Sequence, residues 1–176
     1  MPRIDADFTD VVIREALPKD VYVCRVAQVD LTKTKNPPYN PMMVPQFVVD
    51  DGEHTGRRLT SWIVYAGKQK RKDANGMEST EPVVPFGLAR LIEATKVPWA
   101  CRACSSPFRV TDFLWGTENN GLKKGQMYCP DCKQPTQISV DSDSFINQRL
   151  KIAVDVEKIP DSDRMGNRVK GYSPLD

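Results

Sequence analysis

The spacing of hydrophobic residues predicts a chain that is mainly β. Residues 21–31, 42–50 and 57–65 are rich in β-branched and aromatic side chains that alternate, with some breaks, with polar ones. A period of two is typical of strands that bury one face. Pro45 lies inside the second stretch and indicates an edge or a bulge. Asp50-Asp51-Gly52 is a turn signal, so we expect the second and third strands to form a hairpin.

The second half of the chain adds two further strands. Residues 145–157 alternate most regularly, and the pattern places five hydrophobic residues on one face: Ile146, Leu150, Ile152, Val154 and Val156. A second stretch, residues 167–172, is predicted to form a short last strand.

One helix is predicted between these two groups of strands. Residues 85–95 have helical spacing, and Pro85 suits an early helical position. The pattern puts four hydrophobic residues on one helix face: Phe86, Leu88, Leu91 and Ile92. Residues 66–82, which precede the helix, are polar and basic and are predicted to form a mobile loop.

The order of these elements predicts a small barrel with an insertion. Without residues 99–140, roughly 130 residues remain, which fits an OB-type Greek-key barrel. Such a barrel has its helix between the third and fourth strands. We therefore predict a mainly β protein: an OB-fold-like five-stranded barrel in residues 21–98 and 141–176, an inserted four-cysteine zinc ribbon in residues 99–140, and a lead-in segment in residues 1–20.

Four cysteines carry the most specific signal in the sequence. Cys101 and Cys104 form one C-x-x-C pair, Cys129 and Cys132 form another, and residues 105–128 separate them. Two such turns supply the four thiolates of a tetrahedral Zn²⁺ site, and four thiolates leave no position open for water, so one structural zinc ion is predicted. Iron or an iron–sulfur cluster uses the same ligands, and a redox pair or a disulfide framework is a further alternative. Cys24 is unpaired and is expected to be a small buried apolar residue.

Composition narrows the class of protein. The chain has 176 residues, 40% of them hydrophobic, and a mean hydropathy of −0.47. It has no apolar run of about 18 residues that could span a membrane and no secretory signal at its start, so we expect a cytoplasmic protein. His54 is the single histidine, and no phosphate-binding glycine motif occurs, so we expect no enzyme. Two pairs of aspartates in D-x-D spacing are the weak signal that leaves an Mg²⁺-dependent enzyme as a third hypothesis.

Local charge indicates a nucleic-acid-binding surface, although the net charge is only +2. Single strands bind to a positive groove flanked by aromatic faces on which bases stack. The alternative is an ordinary solvated surface. Trp62 and Tyr65 are three residues apart and so point to opposite faces of a strand; Tyr65 is expected in the core beside Leu59 and Ile63. The candidate binding residues are Lys33, Lys35, Arg57, Arg58, Trp62, Tyr65, Lys68, Lys70, Arg71, Lys72, Arg149 and Lys151.

Five stretches of the chain resemble a family of known proteins. They are residues 22–35, VPQFVVDDGEHTGRRL (44–59), PFGLARLIEAT (85–95), RLKIAVDVEK (149–158) and GNRVKGYSP (166–174). In this arrangement the chain resembles the bacteriophage single-stranded-DNA-binding proteins, small early proteins with an OB fold. The resemblance implies a barrel that coats single-stranded DNA in phage replication, recombination or repair, in the cytoplasm of the bacterial host, with phage or host replication proteins as further partners. The typical member lacks the Cys101–Cys132 segment, whose role is left open as a DNA contact, a protein contact or a stabiliser.

Two functions of different classes follow from the sequence. The first is sequence-tolerant, salt-dependent binding of single-stranded DNA. The alternative is a zinc-ribbon protein-interaction module that docks on host replication or transcription machinery. The first requires affinity for single strands, whereas the second requires a discrete protein partner and negligible affinity for DNA.

Overall fold

A computed structural model describes residues 15–72, 74–83, 85–108, 114–115, 127–135 and 138–175. Residues 1–14 of the predicted lead-in therefore lie outside the described residues. Within the described ranges, no helix is long and apolar enough to cross a membrane.

Strands dominate the described residues, together with one α-helix, α1 (Phe86–Thr95), and one 3₁₀ helix (Ser142–Phe145). The strands are β1 (Asp20–Lys33), β2 (Pro41–Val49), β3 (Arg58–Thr60), β4 (Ile63–Val64), β5 (Lys68–Lys72), β6 (Glu78–Pro82), β7 (Trp99–Cys101), β8 (Pro107–Phe108), β9 (Leu114–Trp115), β10 (Met127–Tyr128), β11 (Ile138–Ser139), β12 (Arg149–Lys158) and β13 (Met165–Ser173). The prediction of a mainly β protein is confirmed.

Six strands form the main sheet, in the order β13-β12-β1-β2-β3, with β4 also paired to β2. All of its pairs are antiparallel, and the predicted hairpin of the second and third strands is present as β2 and β3. The third predicted strand is interrupted at Ser61 and Trp62, which separate β3 from β4. Among the described residues no ladder joins β3 to β13, so the sheet is not closed. The Tyr172 hydroxyl and the Ser61 hydroxyl oxygen, 2.7 Å apart, link these two edges.

The core lies between one face of the main sheet and α1. Alternate residues of β1, β2 and β12 are buried, as a period of two requires. Leu88, Leu91 and Ile92 of α1 are buried too, but Phe86 is 66% exposed, contrary to the prediction. Leu88, Leu91 and Ile92 follow the i, i+3, i+4 spacing of one helix face, whereas Phe86 lies about 200° away from Leu88 around the axis.

The predicted strand at residues 145–157 begins later than expected, at Arg149. Residues before it form the 3₁₀ helix, whose start is fixed by Asp141: its carboxylate accepts a 3.0 Å hydrogen bond from the Asp143 amide. Phe145 is consequently buried and Ile146 is exposed, which reverses the predicted faces of these two residues. The chain is not extended in this turn, so side chains do not alternate between two faces there. The predicted alternation holds only from Leu150 to Val154.

Residues 66–82 are not the mobile loop that the sequence predicts. β5 and β6 pair as an antiparallel hairpin, from Lys68 opposite Pro82 to Lys72 opposite Glu78. This hairpin lies outside the core, so its polar sequence shows no hydrophobic period from which a strand could be predicted. Backbone hydrogen bonds pair its two strands. We call β5 and β6 the basic hairpin.

The end of the predicted lead-in is part of the packed structure. Leu17 is fully buried, and the Asn167 side chain of β13 bonds both of its backbone groups: the Leu17 amide donates to Oδ1 and Nδ2 donates to the Leu17 carbonyl, each at 2.8 Å. The Tyr22 hydroxyl donates to the carbonyl of Pro18 at 2.8 Å. Asp20 already belongs to β1, so the ordered sheet begins before the predicted boundary.

Residues 99–140 are called the cysteine segment below, and the described part of this segment forms two small sheets of its own. One has the order β11-β7-β8, and the other pairs β9 with β10 between the two C-x-x-C turns. Trp99, Cys101 and Cys129 are buried in the same hydrophobic cluster as the main sheet. The cysteine segment therefore packs against the core through these three residues.

Candidate metal centre and nucleic-acid interface

The four cysteines of the C-x-x-C turns converge on one point. The Sγ atoms of Cys101 and Cys132 are 3.8 Å apart, those of Cys104 and Cys129 are 3.7 Å apart, and all four lie within 4.8 Å of one another. Zn–S bonds of about 2.3 Å in a regular tetrahedron put the sulfurs about 3.8 Å apart. The group could therefore hold one metal ion with all four sulfurs as ligands.

The two turns that carry these cysteines have the same backbone design. The amide of Cys101 donates to the Ser106 carbonyl at 3.0 Å and the amide of Ser105 donates to the Cys101 carbonyl at 2.7 Å. The second turn repeats this pattern: the amide of Cys129 donates to the Gln134 carbonyl at 3.1 Å, and the amide of Lys133 donates to the Cys129 carbonyl at 3.0 Å. Ser105 and Lys133, each following the second cysteine of its pair, both have positive φ, 61° and 58°. Sequence spacing predicted the two C-x-x-C turns, and this shared local geometry brings the two sulfurs of each turn together.

Cys24, the fifth cysteine, is not part of this group of four. Its side chain is fully buried in β1, and burial, with a smaller contribution from the charge of Asp50, raises the pKa of its thiol to about 12. It therefore stays a neutral thiol at ordinary pH, which agrees with the prediction of a small buried apolar residue.

Strand register places three arginines in one row on the solvent face of the main sheet. Arg149 of β12 is opposite Arg25 of β1, Arg25 is opposite Val48 of β2, and Val48 is opposite Arg58 of β3. Directly opposed residues in a sheet share a face. We call Arg25, Arg58 and Arg149 the arginine row. Sequence reasoning proposed Arg58 and Arg149 but missed Arg25, because only the pairing of β1 with its neighbours brings it beside them.

One carboxylate stabilises the paired arginines of this row. Arg25 and Arg149 are directly opposed like charges, which is unfavourable without a counterion. Asp50 supplies it: its Oδ2 is 3.0 Å from Nε of Arg149 and its Oδ1 is 3.4 Å from Nε of Arg25. Arg58 is exposed and has no acidic group within 4 Å among the described residues. Three guanidinium groups against one carboxylate leave the row positively charged.

Trp62 shares the solvent face with the arginine row. Leu59 and Ile63 are buried, so the even-numbered residues Arg58 and Trp62 point outward, and the Trp62 side chain is 65% exposed. At about 3.3 Å per residue, Trp62 lies about 13 Å along the strand from Arg58. Tyr65 is instead half-buried and packs against the core cluster, so the prediction that it is the inward member of the pair is confirmed.

Asn40 joins the basic hairpin to the loop between β1 and β2. Its Nδ2 donates to the Lys68 carbonyl at 2.7 Å and its Oδ1 accepts from the Lys68 amide at 3.0 Å. Its own amide donates to the Thr34 hydroxyl oxygen at 2.9 Å. Gly67 is required here: its φ is +104°, and a Cβ would lie 2.0 Å from Asn40 Oδ1. The two lysine-bearing segments predicted from sequence therefore lie at the same end of the sheet.

The lysines of this end differ in their partners. Lys70 and Lys72 of the basic hairpin share Glu78, at 3.7 and 3.5 Å, in exposed pairs of the kind that contribute little free energy. Three other exposed lysines have no acidic group within 4 Å in the part of the chain that the structure describes: Lys33, Lys35 and Lys68. Arg71 belongs to β5 by its backbone.

Two further candidates lie apart from Trp62. The Arg57 guanidinium donates to the carbonyl of Glu15, a residue of the segment that leads into β1. Lys151 follows Arg149 by two residues on β12 and is opposite Val23, so it extends the arginine row on the solvent face. The twelve predicted residues therefore form no single cluster: some share the solvent face, some the loop end, and Arg57 and Tyr65 belong to neither.

Comparison with protein-family models, with curated proteins and with solved structures finds no match to this chain. The resemblance to phage single-stranded-DNA-binding proteins thus stays a prediction. The case for function rests on the geometry of the two candidate sites.

Proposed function

We propose that the protein binds single-stranded DNA on the solvent face of its main sheet, without strong preference for sequence. The observation that carries this proposal is the combination of exposed Trp62 and the arginine row on one sheet face. Guanidinium groups bind phosphate oxygens, and every base has a π face that can stack on an indole ring. Neither contact reads the identity of a base.

The preference for a single strand follows from the aromatic contact. In a duplex the bases are stacked on each other and their faces are not accessible to a side chain. In a single strand an unstacked base can lie on Trp62 while the flanking phosphates contact Arg58 and its neighbours. We therefore expect tighter binding to single strands than to duplex of the same sequence.

The loop end extends the positive surface. Lys33 and Lys35, together with Lys68 and the rest of the basic hairpin, lie at one end of the sheet face that we propose to bind the strand. Contacts between these lysines and phosphates release counterions, so the affinity is expected to fall as the salt concentration rises.

The fold proposal is a partly open OB-type barrel. Its five strands would be β1, β2, β3 with β4, β12 and β13, with α1 between the third and fourth. Barrels of this type are five-stranded, Greek-key and often incompletely closed, and their second and third strands form the usual binding face. The hydrogen bond between Tyr172 and Ser61 supports closure at this edge, because it joins the two free edges of the sheet. With the sequence resemblance, this favours a role in phage DNA replication, recombination or repair in the bacterial cytoplasm.

The metal that best fits the four cysteines is one structural Zn²⁺. The spacing of the sulfurs matches tetrahedral zinc, and a site with four thiolates has no position for a reacting water. Zinc would neutralise part of the charge of four thiolates and stabilise a segment with few buried side chains of its own.

Binding is tested by fluorescence anisotropy with a labelled oligonucleotide of about 30 nucleotides, several times the footprint of one OB fold. The same sequence as duplex is the control, and each titration is run at two salt concentrations. The proposal predicts saturable binding of the single strand that weakens with salt and much weaker binding of the duplex. No binding of the single strand at low salt, by protein with its metal bound, would contradict it and favour the protein-interaction module.

A further inference from the structure

An open groove lies at the edge of the sheet where β3 and β4 approach β13. It has a volume of about 270 Å³, and its walls are formed by the Ser61–Val64 stretch on one side, by residues Val169–Tyr172 on the other and by Gly87 of α1. Pockets for drug-sized ligands have volumes of about 300–1,000 Å³. The groove is therefore smaller than a pocket for a drug-sized ligand, which limits its ligand to a small group.

Two glycines line this groove. A Cβ on Gly87 would contact Cγ2 of Ile63 at 3.2 Å, so the absence of a side chain lets the start of α1 lie close against β4. A Cβ on Gly171 would meet no atom within 4 Å, so a glycine there leaves free space at the wall of the groove. Gly171 has no strained backbone conformation that would require glycine. Neither its backbone conformation nor a close neighbour among the described residues therefore requires a glycine at position 171.

The walls of the groove combine an aromatic ring with a cation. Trp62 stands on one wall and is exposed, and Lys170 stands on the other, with its Nζ 3.2 Å from Oε1 of Glu157. Glu157 also accepts from Arg168 at 2.9 Å, so this carboxylate is shared between two cations. No acidic residue lines the groove itself among the described residues. Tyr172 and Ser61 are hydrogen-bonded to each other and form its polar end.

These features favour a ligand that is both planar and anionic. A flat apolar surface binds an aromatic ring. Lys170, whose partner Glu157 lies outside the groove and is shared with Arg168, can bind a negative group next to that ring. One nucleotide of a single strand has both parts, a base and its phosphate. Trp62 belongs both to the solvent face of the sheet and to the lining of the groove.

We propose that the groove between β4 and β13 holds one base of the bound single strand, stacked on Trp62, with the adjoining phosphate at Lys170. This inference rests on the proposed function and adds a path: the strand crosses the arginine row, reaches the sheet edge at Trp62 and continues over the gap between the two edge strands. Lys170 and Gly171 then become binding determinants that no sequence pattern indicated.

The test adds bulk beside the groove without changing charge. Gly171→Leu places a side chain at its wall, and it is compared with wild type for binding of an oligothymidine of about 30 nucleotides. Loss of one stacked base is expected to weaken binding by about 5- to 150-fold. Circular dichroism and thermal unfolding check that the variant retains its fold.

A pair of lysine variants gives an independent arm that does not depend on packing. Lys170→Ala is compared with Lys158→Ala, because each lysine is partly exposed and paired to one carboxylate, Lys158 to Asp163 at 3.1 Å, but only Lys170 lines the groove. The proposal predicts weaker binding and a smaller salt slope for Lys170→Ala, with Lys158→Ala close to wild type.

The outcomes separate this inference from the function on which it rests. If wild type binds oligothymidine while Gly171→Leu and Lys170→Ala bind as tightly as wild type and Lys158→Ala, the groove is not part of the path and only the inference is overturned. If wild type itself does not bind, the proposed function fails and the groove loses its assigned ligand. Failure of Gly171→Leu to fold leaves the lysine pair to decide.

Discussion

The main sheet and the cysteine segment are stabilised by different kinds of contact. The sheet buries a continuous set of side chains, including Phe47, Leu150 and Ile152, which are fully buried between the sheet and α1. The cysteine segment has short strands of two or three residues, and its buried residues include Cys101 and Cys129. Hydrophobic burial can maintain the first region without a ligand, whereas we propose that the second is stabilised by a metal ion bound to its four sulfurs. Our proposals follow the same division: DNA binding is proposed for the sheet and metal binding for the segment.

The largest expected effect is that of metal removal on the cysteine segment alone. Structural zinc contributes about 10–16 kcal/mol of apparent binding free energy in small zinc domains, so its removal should unfold the segment. Metal analysis is expected to find one zinc per chain, and a chelator should increase amide exchange at β7 and β10 while β1 and β12 stay protected.

Two cysteine variants provide the control. Cys104→Ser removes an exposed ligand and should reduce the zinc content, whereas Cys24→Ala removes a cysteine outside the group and should not. Zinc bound equally by both variants would be incompatible with a four-cysteine site.

The next largest effect concerns the sheet. Leu17→Ala should lower the free energy of unfolding by about 2–5 kcal/mol, because the side chain is fully buried and its removal leaves a cavity. Urea unfolding measures the change. Val21→Ala, at an exposed position four residues later, should change the free energy of unfolding by less than about 0.5 kcal/mol. Equal effects of the two changes would show that residues 15–18 do not pack as described.

A smaller effect is expected for binding when the aromatic ring is removed. Trp62→Ala should weaken binding of single-stranded DNA by about 1–3 kcal/mol, since one base loses its stacking surface. Met165→Ala is the control, because Met165 is also an exposed large hydrophobic residue but lies at the start of β13, outside the lining of the groove. Anisotropy titrations of both variants measure the difference, and equal affinities would remove Trp62 from the interface.

The smallest effect concerns one cation of the arginine row. Arg58→Ala should weaken binding similarly for all sequences and lower the salt slope by about 1, as the loss of one phosphate contact does. Arg164→Ala removes the same charge from the exposed turn between β12 and β13 and should leave the slope unchanged. A slope that falls equally in both variants would mean that only overall charge matters.

Much of the sheet and the group of four cysteines that could hold a metal ion could be predicted from sequence. Strands that bury one face impose a period of two, which is why β1, β2 and β12 were found. The C-x-x-C turns could be found because each pair brings two sulfurs together by local geometry alone. The two pairs can then converge if the chain between them is long enough to form a hairpin, as residues 105–128 are.

The parts that were missed depend on contacts between residues far apart in the chain. Arg25 joins the arginine row only through strand register, and Leu17 is buried because Asn167, 150 positions later, bonds its backbone. The basic hairpin is attached through Asn40 by side-chain bonds to the backbone of Lys68. No local sequence pattern indicates such pairings. The sequence alone therefore predicted a lead-in segment that includes Leu17 and a loop at residues 66–82.

The most direct test of the division between sheet and cysteine segment is an NMR titration of the metal-bound protein with a short oligothymidine. The account predicts amide shifts at Arg25, Gln46 and the Arg58–Trp62 stretch, and a shift of the Trp62 indole N–H, with little change at the four cysteines. Shifts confined to the cysteine segment, or no shifts at all, would contradict the claim that the solvent face of the sheet binds single-stranded DNA.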